Sequence, residues 1–236
     1  MTYKSFIIGG IAVFALAACG GASTDTSESP AETVDAPAEA ALHSSLEGVA
    51  AGDYSLEKNH AFMTVKVGHA GGISQYRISF TDFDGQLSFD PADPESGSID
   101  FTINPLSVET NYPGDYKTGH ANSGWESWNE DVARDDKWLN ADEHPTIRFV
   151  STNVERTGDT TGKVTGDLTL LSVTKPVTLD VTYNGSANVV WFGERDLVGF
   201  DATTTIKRSE FGMSALIPNI SDEVMVEFSG EFLEDE

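Results

Sequence analysis

The stretch Val177-Thr178-Leu179-Asp180-Val181-Thr182-Tyr183 carries an apolar side chain at every second position and a polar one between. Successive side chains of a strand point to opposite faces, so a period of two specifies a strand with one dry and one wet face. The same rhythm recurs on both sides of it. Upstream, Tyr76, Ile78 and Phe80 alternate with Arg77 and Ser79, Leu87 and Phe89 with Gln86 and Ser88, and Ile99, Phe101 and Ile103 with Asp100 and Thr102. Downstream, Val198, Phe200, Ala202 and Ile206 face away from Asp201, Thr203 and Thr205, and Val224, Val226 and Phe228 face away from Glu227 and Ser229. With residues 63–67, 147–151 and 164–170 these make nine predicted strands. Turn signals at Asp84-Gly85, Asp90-Pro91, Gly158-Asp159 and Asn184-Gly185 punctuate them.

Consecutive antiparallel strands with one apolar face each can form a sandwich or close into a barrel, and closure also removes exposed edges. The sequence therefore predicts an all-β fold, an antiparallel β-barrel of about eight strands. A barrel of that size is either filled by its own side chains or holds one small ligand. Phe80, Phe89, Phe101, Phe149, Phe200 and Phe228 fall on the proposed inner face, and the alternation brings almost no charge inward. Such a lumen would accept a hydrocarbon; periodicity alone leaves open whether these rings line a ligand site or fill a core. One interval breaks the rhythm. In residues 112–140, Trp125, Trp128, Val132 and Leu139 recur at roughly helical spacing, so short helices in an irregular insertion are expected there.

The composition excludes several functions. The 236 residues contain 14 Lys and Arg against 38 Asp and Glu, a formal net charge of -24. Binding nucleic acid needs clustered cations to displace counterions, so none is expected as a partner. A single cysteine, Cys19, rules out an internal disulfide, a multi-cysteine zinc cage and a cysteine-held iron–sulfur cluster.

The position of that cysteine gives it a role. Lys4 precedes an apolar run over residues 6–18 that is too short to span a bilayer and reads as a secretory signal peptide, residues 1–18. It ends in Leu16-Ala17-Ala18-Cys19, which resembles a bacterial lipobox, a signal cut before the cysteine so that Cys19 carries acyl chains. Gly20 and Gly21 replace the aspartate that retains such proteins at the inner membrane, which implies a lipoprotein of the outer membrane facing the periplasm. Residues 19–52 then form the lipidated cysteine and an acidic tether of Ala, Ser, Thr, Glu, Asp and Pro, too poor in apolar surface to fold, with a helical turn expected around residues 38–46. The barrel domain takes residues 53–236.

Local signatures of catalysis are missing from the sequence. His43, His60, His69, His120 and His144 lack metal-ligand spacing, so no metal site is expected. His60 and His69 flank one predicted strand and are candidates for polar contacts at a barrel mouth. Asp82-Phe83-Asp84-Gly85 opens like a calcium loop but lacks the closing glutamate and is expected to be a hairpin turn. Nucleophile elbow, P-loop and dinucleotide fingerprint are all absent, so neither enzyme activity nor a cofactor is expected.

Asn59-His60-Ala61-Phe62, Gly68-His69, Phe80-Thr81-Asp82-Phe83-Asp84-Gly85, Ser107-Val108-Glu109-Thr110, Gly166-Asp167-Leu168-Thr169, Val173-Thr174-Lys175-Pro176-Val177 and Ile206-Lys207-Arg208-Ser209-Glu210-Phe211-Gly212 together resemble the YceI family of bacterial envelope proteins. The resemblance implies a lipocalin-like barrel that holds a polyisoprenoid chain or similar long amphiphile, in the periplasm, with no catalytic activity. Two departures stand out. Residues 112–136 replace a shorter link that carries a histidine near the position of Val132, and Ser172 stands where a glycine is usual. The expected function is a lipid-anchored barrel that carries or stores an isoprenoid quinone, polyprenyl phosphate or fatty amphiphile. The alternative is an interaction or stress-response module with a filled core, and a homodimer is left open.

Overall fold

The computed structural model describes residues 44–236, so the signal peptide, Cys19 and most of the tether lie outside the described residues. Ten strands form one antiparallel sheet: β1 Gly52–His69, β2 Ser74–Phe80, β3 Phe83–Phe89, β4 Ser98–Ile103, β5 Val108–Glu109, β6 Ile147–Arg156, β7 Thr161–Leu170, β8 Val173–Asn188, β9 Asp196–Lys207 and β10 Ile220–Glu234. All nine predicted strands are present. The tenth, β5, has two residues, too few to show a period.

Eight of the strands close a barrel in the order β1, β10, β9, β8, β7, β6, β4, β3 and back to β1. Strand β1 is the seam. Its first residues pair with β3, from Gly52↔Phe89 to Ser55↔Gln86, and its last with β2, from Met63↔Phe80 to His69↔Ser74, while β10 runs along its other edge. The two halves meet at a bulge between Glu57 and Phe62, where the polar run Glu57-Lys58-Asn59-His60 interrupts the alternation. Outward positions carry cross-strand partners such as Lys66 with Glu227, Lys163 with Asp180 and Thr165 with Thr178, the pairs that stabilise neighbouring strands on a solvated face.

Two predicted turns are strand interior instead. Gly85 lies within β3 and Gly185 within β8, where a register shift after Tyr183 and a φ of 140° at Gly185 bend the strand without reversing it. The expected hairpin turn at residues 82–85 is corrected likewise, because the chain leaves β2 at Thr81-Asp82. The β7–β8 hairpin turns on Leu171 and Ser172, with φ of 50° and 61°. Both central residues of a type I′ hairpin need this left-handed backbone, which is why glycine suits position 172 better than serine.

The domain also begins earlier than position 53. Val49 is buried in the core, Leu46 packs against it, and the Ala50 amide donates to Asp196 Oδ2 at 2.7 Å. The insertion contains α1 Tyr116–Gly119 and α2 Trp128–Arg134. Asp115 caps α1 by accepting from the Lys117 amide, and Ser127 caps α2 by accepting from the Glu130 amide.

Candidate functional site

The barrel encloses a cavity of about 1040 Å³. Its lining follows from the alternation: the inward position of each strand is apolar and the outward one polar. Phe80, Phe89, Phe101, Phe149, Phe200 and Phe228 all line it. With Phe83 and Phe232, several of these rings form a continuous chain of contacts: Phe83 to Phe101 at 5.7 Å, Phe101 to Phe228 at 5.3 Å, Phe228 to Phe232 at 6.1 Å, Phe232 to Phe200 at 6.3 Å and Phe200 to Phe89 at 5.8 Å. Strands β6, β7 and β8 contribute an aliphatic wall, including Val164, Leu168, Val177 and Leu179.

Glycines explain why so many rings leave a void. A Cβ on Gly166 would stand 2.5 Å from Phe149 Cζ, and one on Gly85 would stand 2.9 Å from Phe101 Cδ2. The two rings lie down on bare backbone, against the wall, and Phe228 does the same over Gly230.

The two ends of the cavity differ. At one end the segment from Leu46 to Ala50 packs onto the barrel: Tyr54 is fully buried and donates to Ala50 O at 2.7 Å, Tyr183 donates to Ser45 O, and Leu46 reaches the cavity. Burial, reinforced by Asp196 and Glu234, pushes the Tyr54 phenol far above its ordinary value, so it stays a neutral donor.

At the other end the insertion forms an aromatic collar. The Tyr76 and Trp128 rings meet at 4.6 Å, Tyr112 and Trp128 at 5.0 Å, and His120 stacks on Tyr116 at 4.4 Å. Beneath it lies a polar network. Buried Asp131 accepts from the Tyr116 hydroxyl through Oδ2 and pairs with Lys137 through Oδ1 at 2.7 Å. Lys137 also pairs with Asp135 at 2.7 Å, and Asp135 accepts from the Trp125 indole at 3.0 Å. Burial alone would raise the Asp135 carboxyl, but the hydrogen bonds from Lys137 and Trp125 outweigh it and hold Asp135 at about 2. Burial likewise pulls the Lys137 ammonium down, and the two carboxylates more than reverse this.

Arg208 is the buried cation of this end, 2% exposed. Its Nε donates to Ser221 O, Nη1 to Met213 O, and Nη2 to Ala215 O and Ile220 O, all within 3.0 Å, while Trp138 stacks 5.7 Å away. Burial lowers its pKa. Sequence reasoning missed Arg208, although a signal existed: it is in phase with Val198, Phe200, Ala202 and Ile206, so the same alternation aims it inward. Asp131, Lys137 and Tyr116 had no such signal, because they sit in an aperiodic segment.

The two candidate histidines separate. His69 lines the cavity and contacts Tyr76 at 5.0 Å. His60 does not, and its expected place at a mouth is corrected. It lies inside β1, on the bulge, which turns it to the outer face. There it bonds Glu57 at 2.5 Å and, with Glu57 and Glu231, presents potential metal-ligand atoms within 4.8 Å of one another.

Comparison with known proteins agrees with this architecture. The YceI-like domain family matches residues 54–232. The chain is 39% identical over 166 residues to a UPF0312 protein of Ectopseudomonas mendocina strain ymp, a match spanning 70% of this chain and 78% of that protein. Among solved structures, BcnA of Burkholderia cenocepacia superposes with a TM-score of 0.61 at 23% identity, over 75% of this chain and 98% of its own. A polyisoprenoid binding domain from Saccharophagus degradans superposes with a TM-score of 0.52 at 15% identity, over 77% and 98%. At these identities the two structures share the fold with this chain.

Proposed function

Because the chain belongs to the YceI-like family, as the match over residues 54–232 shows, we propose that its barrel binds a polyisoprenoid or other long-chain amphiphile and carries or stores it without chemical change. The observation that carries this is the cavity of about 1040 Å³ walled by phenylalanine and aliphatic side chains. Ligand pockets generally span about 300–1,000 Å³, so this one stands at the upper end. A tail burying a few hundred Å² gains on the order of 10 kcal/mol at about 25 cal/mol per Å², against association costs of roughly 4–15 kcal/mol, which leaves micromolar to nanomolar affinity within reach. The polyisoprenoid binding domain from Saccharophagus degradans, with the same fold, supports the ligand class. A filled-core interaction module does not fit a cavity of this volume.

The head group is uncharged, of the quinone or alcohol kind. Lys137, Arg156 and Arg208 are the lysine and arginine side chains that line the cavity, and each is already bonded: Lys137 to two carboxylates, Arg156 to Gly158 O and Asp159 O, Arg208 to four carbonyls. Burying a phosphate beside them would require breaking those bonds. The protein works in the bacterial envelope, anchored through acylated Cys19 to the outer membrane and facing the periplasm. Solvent extraction of protein purified from its native envelope, followed by mass spectrometry, should return a stoichiometric isoprenoid or fatty amphiphile. Repeated absence of lipid, with no rise in melting temperature on adding prenyl chains, would remove the carrier function.

A further inference from the structure

Two loops at the insertion end of the barrel carry exposed aliphatic tips. Ile73, between β1 and β2, is 87% exposed, and Leu216 and Ile217, between β9 and β10, are 57% and 38% exposed. The loops are neighbours: His69 and Ile220 are paired, and the Gly71 amide donates to Asn219 O at 3.4 Å. Their tips carry no formal charge, the charged residues of the β9–β10 connection, Arg208 and Glu210, standing at its start. Residues 68–76 and 211–221 have no Asp, Glu, Lys or Arg, in a chain where 22% of residues are charged and the net charge is -24. The apolar surface is also continuous with the lumen, since Leu216, half exposed at the tip, lines the cavity together with Ile220 and His69.

We infer that these two loops are a docking rim that seats the barrel mouth on an uncharged, zwitterionic bilayer surface, so that the amphiphile passes between membrane and lumen without crossing water. The inference rests on the proposed lipid-carrying cavity. Charge separates a membrane from other occupants. A chain this acidic is repelled by anionic surfaces, and a neutral patch of aliphatic tips beside the mouth lessens that repulsion on approach. A protein partner for an acidic domain would be expected to meet it with complementary cations, and the aliphatic tips themselves offer nothing for cations to pair with, Glu210 standing six residues before Leu216. Continuity of apolar surface from tip to lumen gives the transferred chain a dry path, which a patch elsewhere on the barrel would lack.

The test uses the full chain with Cys19→Ser in every variant, so that acylation contributes nothing, loaded with anthraniloyl-labelled geranylgeraniol and mixed with phosphatidylcholine vesicles. The transfer rate should rise in proportion to vesicle concentration, as collision requires. Ile73→Asp with Ile217→Asp should slow it tenfold or more while leaving the melting temperature and the equilibrium affinity for the probe unchanged, since neither side chain lines the cavity. Ile73→Ser with Ile217→Ser, which adds no charge, should slow it by about threefold. Replacing part of the phosphatidylcholine with phosphatidylglycerol should also slow transfer, and salt should restore it. The rim is overturned by a rate independent of vesicle concentration, by undiminished transfer in the double aspartate variant, or by slowing that appears instead with Val190→Asp and Trp191→Asp at the exposed β8–β9 tip. Failure of the probe to load, seen before any vesicle is added, would remove the lipid-binding function itself.

Discussion

The two ends of the barrel are held by different physics. One is covered in part by apolar burial with single hydrogen bonds placed inside it, beside turns that also line the cavity: Val49, Leu46 and Tyr54 pack together, and the Tyr54 hydroxyl and the Asp196 carboxylate satisfy the backbone of the covering segment. The other is held by charge: Asp131, Lys137 and Asp135 tie the irregular insertion to itself beneath an aromatic collar, and Arg208 gathers four carbonyls of the β9–β10 connection and the start of β10 under the Trp138 ring. A cover built from burial is cooperative with the core and opens only when the core does. A cover built from local ion pairs can loosen alone.

Breaking the buried cover should cost most. Tyr54→Ala removes a fully buried ring and its hydrogen bond, and urea unfolding should show a loss of about 3–5 kcal/mol in one cooperative transition. A separate low-urea transition for that end would show that it is as independent as the mouth. At the mouth, Arg208→Met should cost about 3 kcal/mol, because it strips the donors from four carbonyls. The double variant should be near additive if the ends are uncoupled.

Asp131→Asn should loosen the collar and spare the barrel. Lys137, itself more than a third exposed, then loses one of its two carboxylates, and local opening of residues 112–138 should become easier by about 1 kcal/mol. Faster amide exchange confined to that segment, with β6–β10 unchanged, is the expected pattern; equal acceleration in the strands would erase the contrast between the ends. Acid should act in the same place. The folded Asp135 carboxyl is held at about 2, below its ordinary 3.8, so its contribution is complete above roughly pH 4 and is lost as the pH falls toward 2. With the side chain partly exposed, the loss should be about 1 kcal/mol, visible as collar exchange that rises across that window.

The smallest effect should be a gain. Ser172→Gly relieves a φ of 61° in the β7–β8 turn but gives up the contact to His144 at 3.0 Å, so thermal unfolding should show stabilisation of about 0.5 kcal/mol or less.

The same contrast marks what the sequence discloses. The barrel wall is legible because a sheet with one wet face imposes period two, and Phe200 or Val226 could be assigned to the lumen from neighbours two positions away. The seam strand β1 is legible only in its second half, because the polar bulge at residues 57–61 reverses the phase and carries His60 outward. Gly85 and Gly185 read as turns because glycine also serves turns; that Gly85 lies under a ring depends on Phe101, sixteen residues later. The mouth is the least legible part. Asp131 meets Tyr116 and Lys137 through an irregular path with no period, and their pairing is a property of the folded loop alone.

The glycines beneath Phe149 and Phe101 set the calibre of the tube. Each absent side chain lets a phenyl group recline, and a methyl at Gly166 would press at 2.5 Å on both the Phe149 ring and the Val150 carbonyl of the paired strand, so ring and strand would have to shift together. Bore is therefore governed by residues beneath the rings as much as by the rings themselves, within one hydrogen-bonded frame.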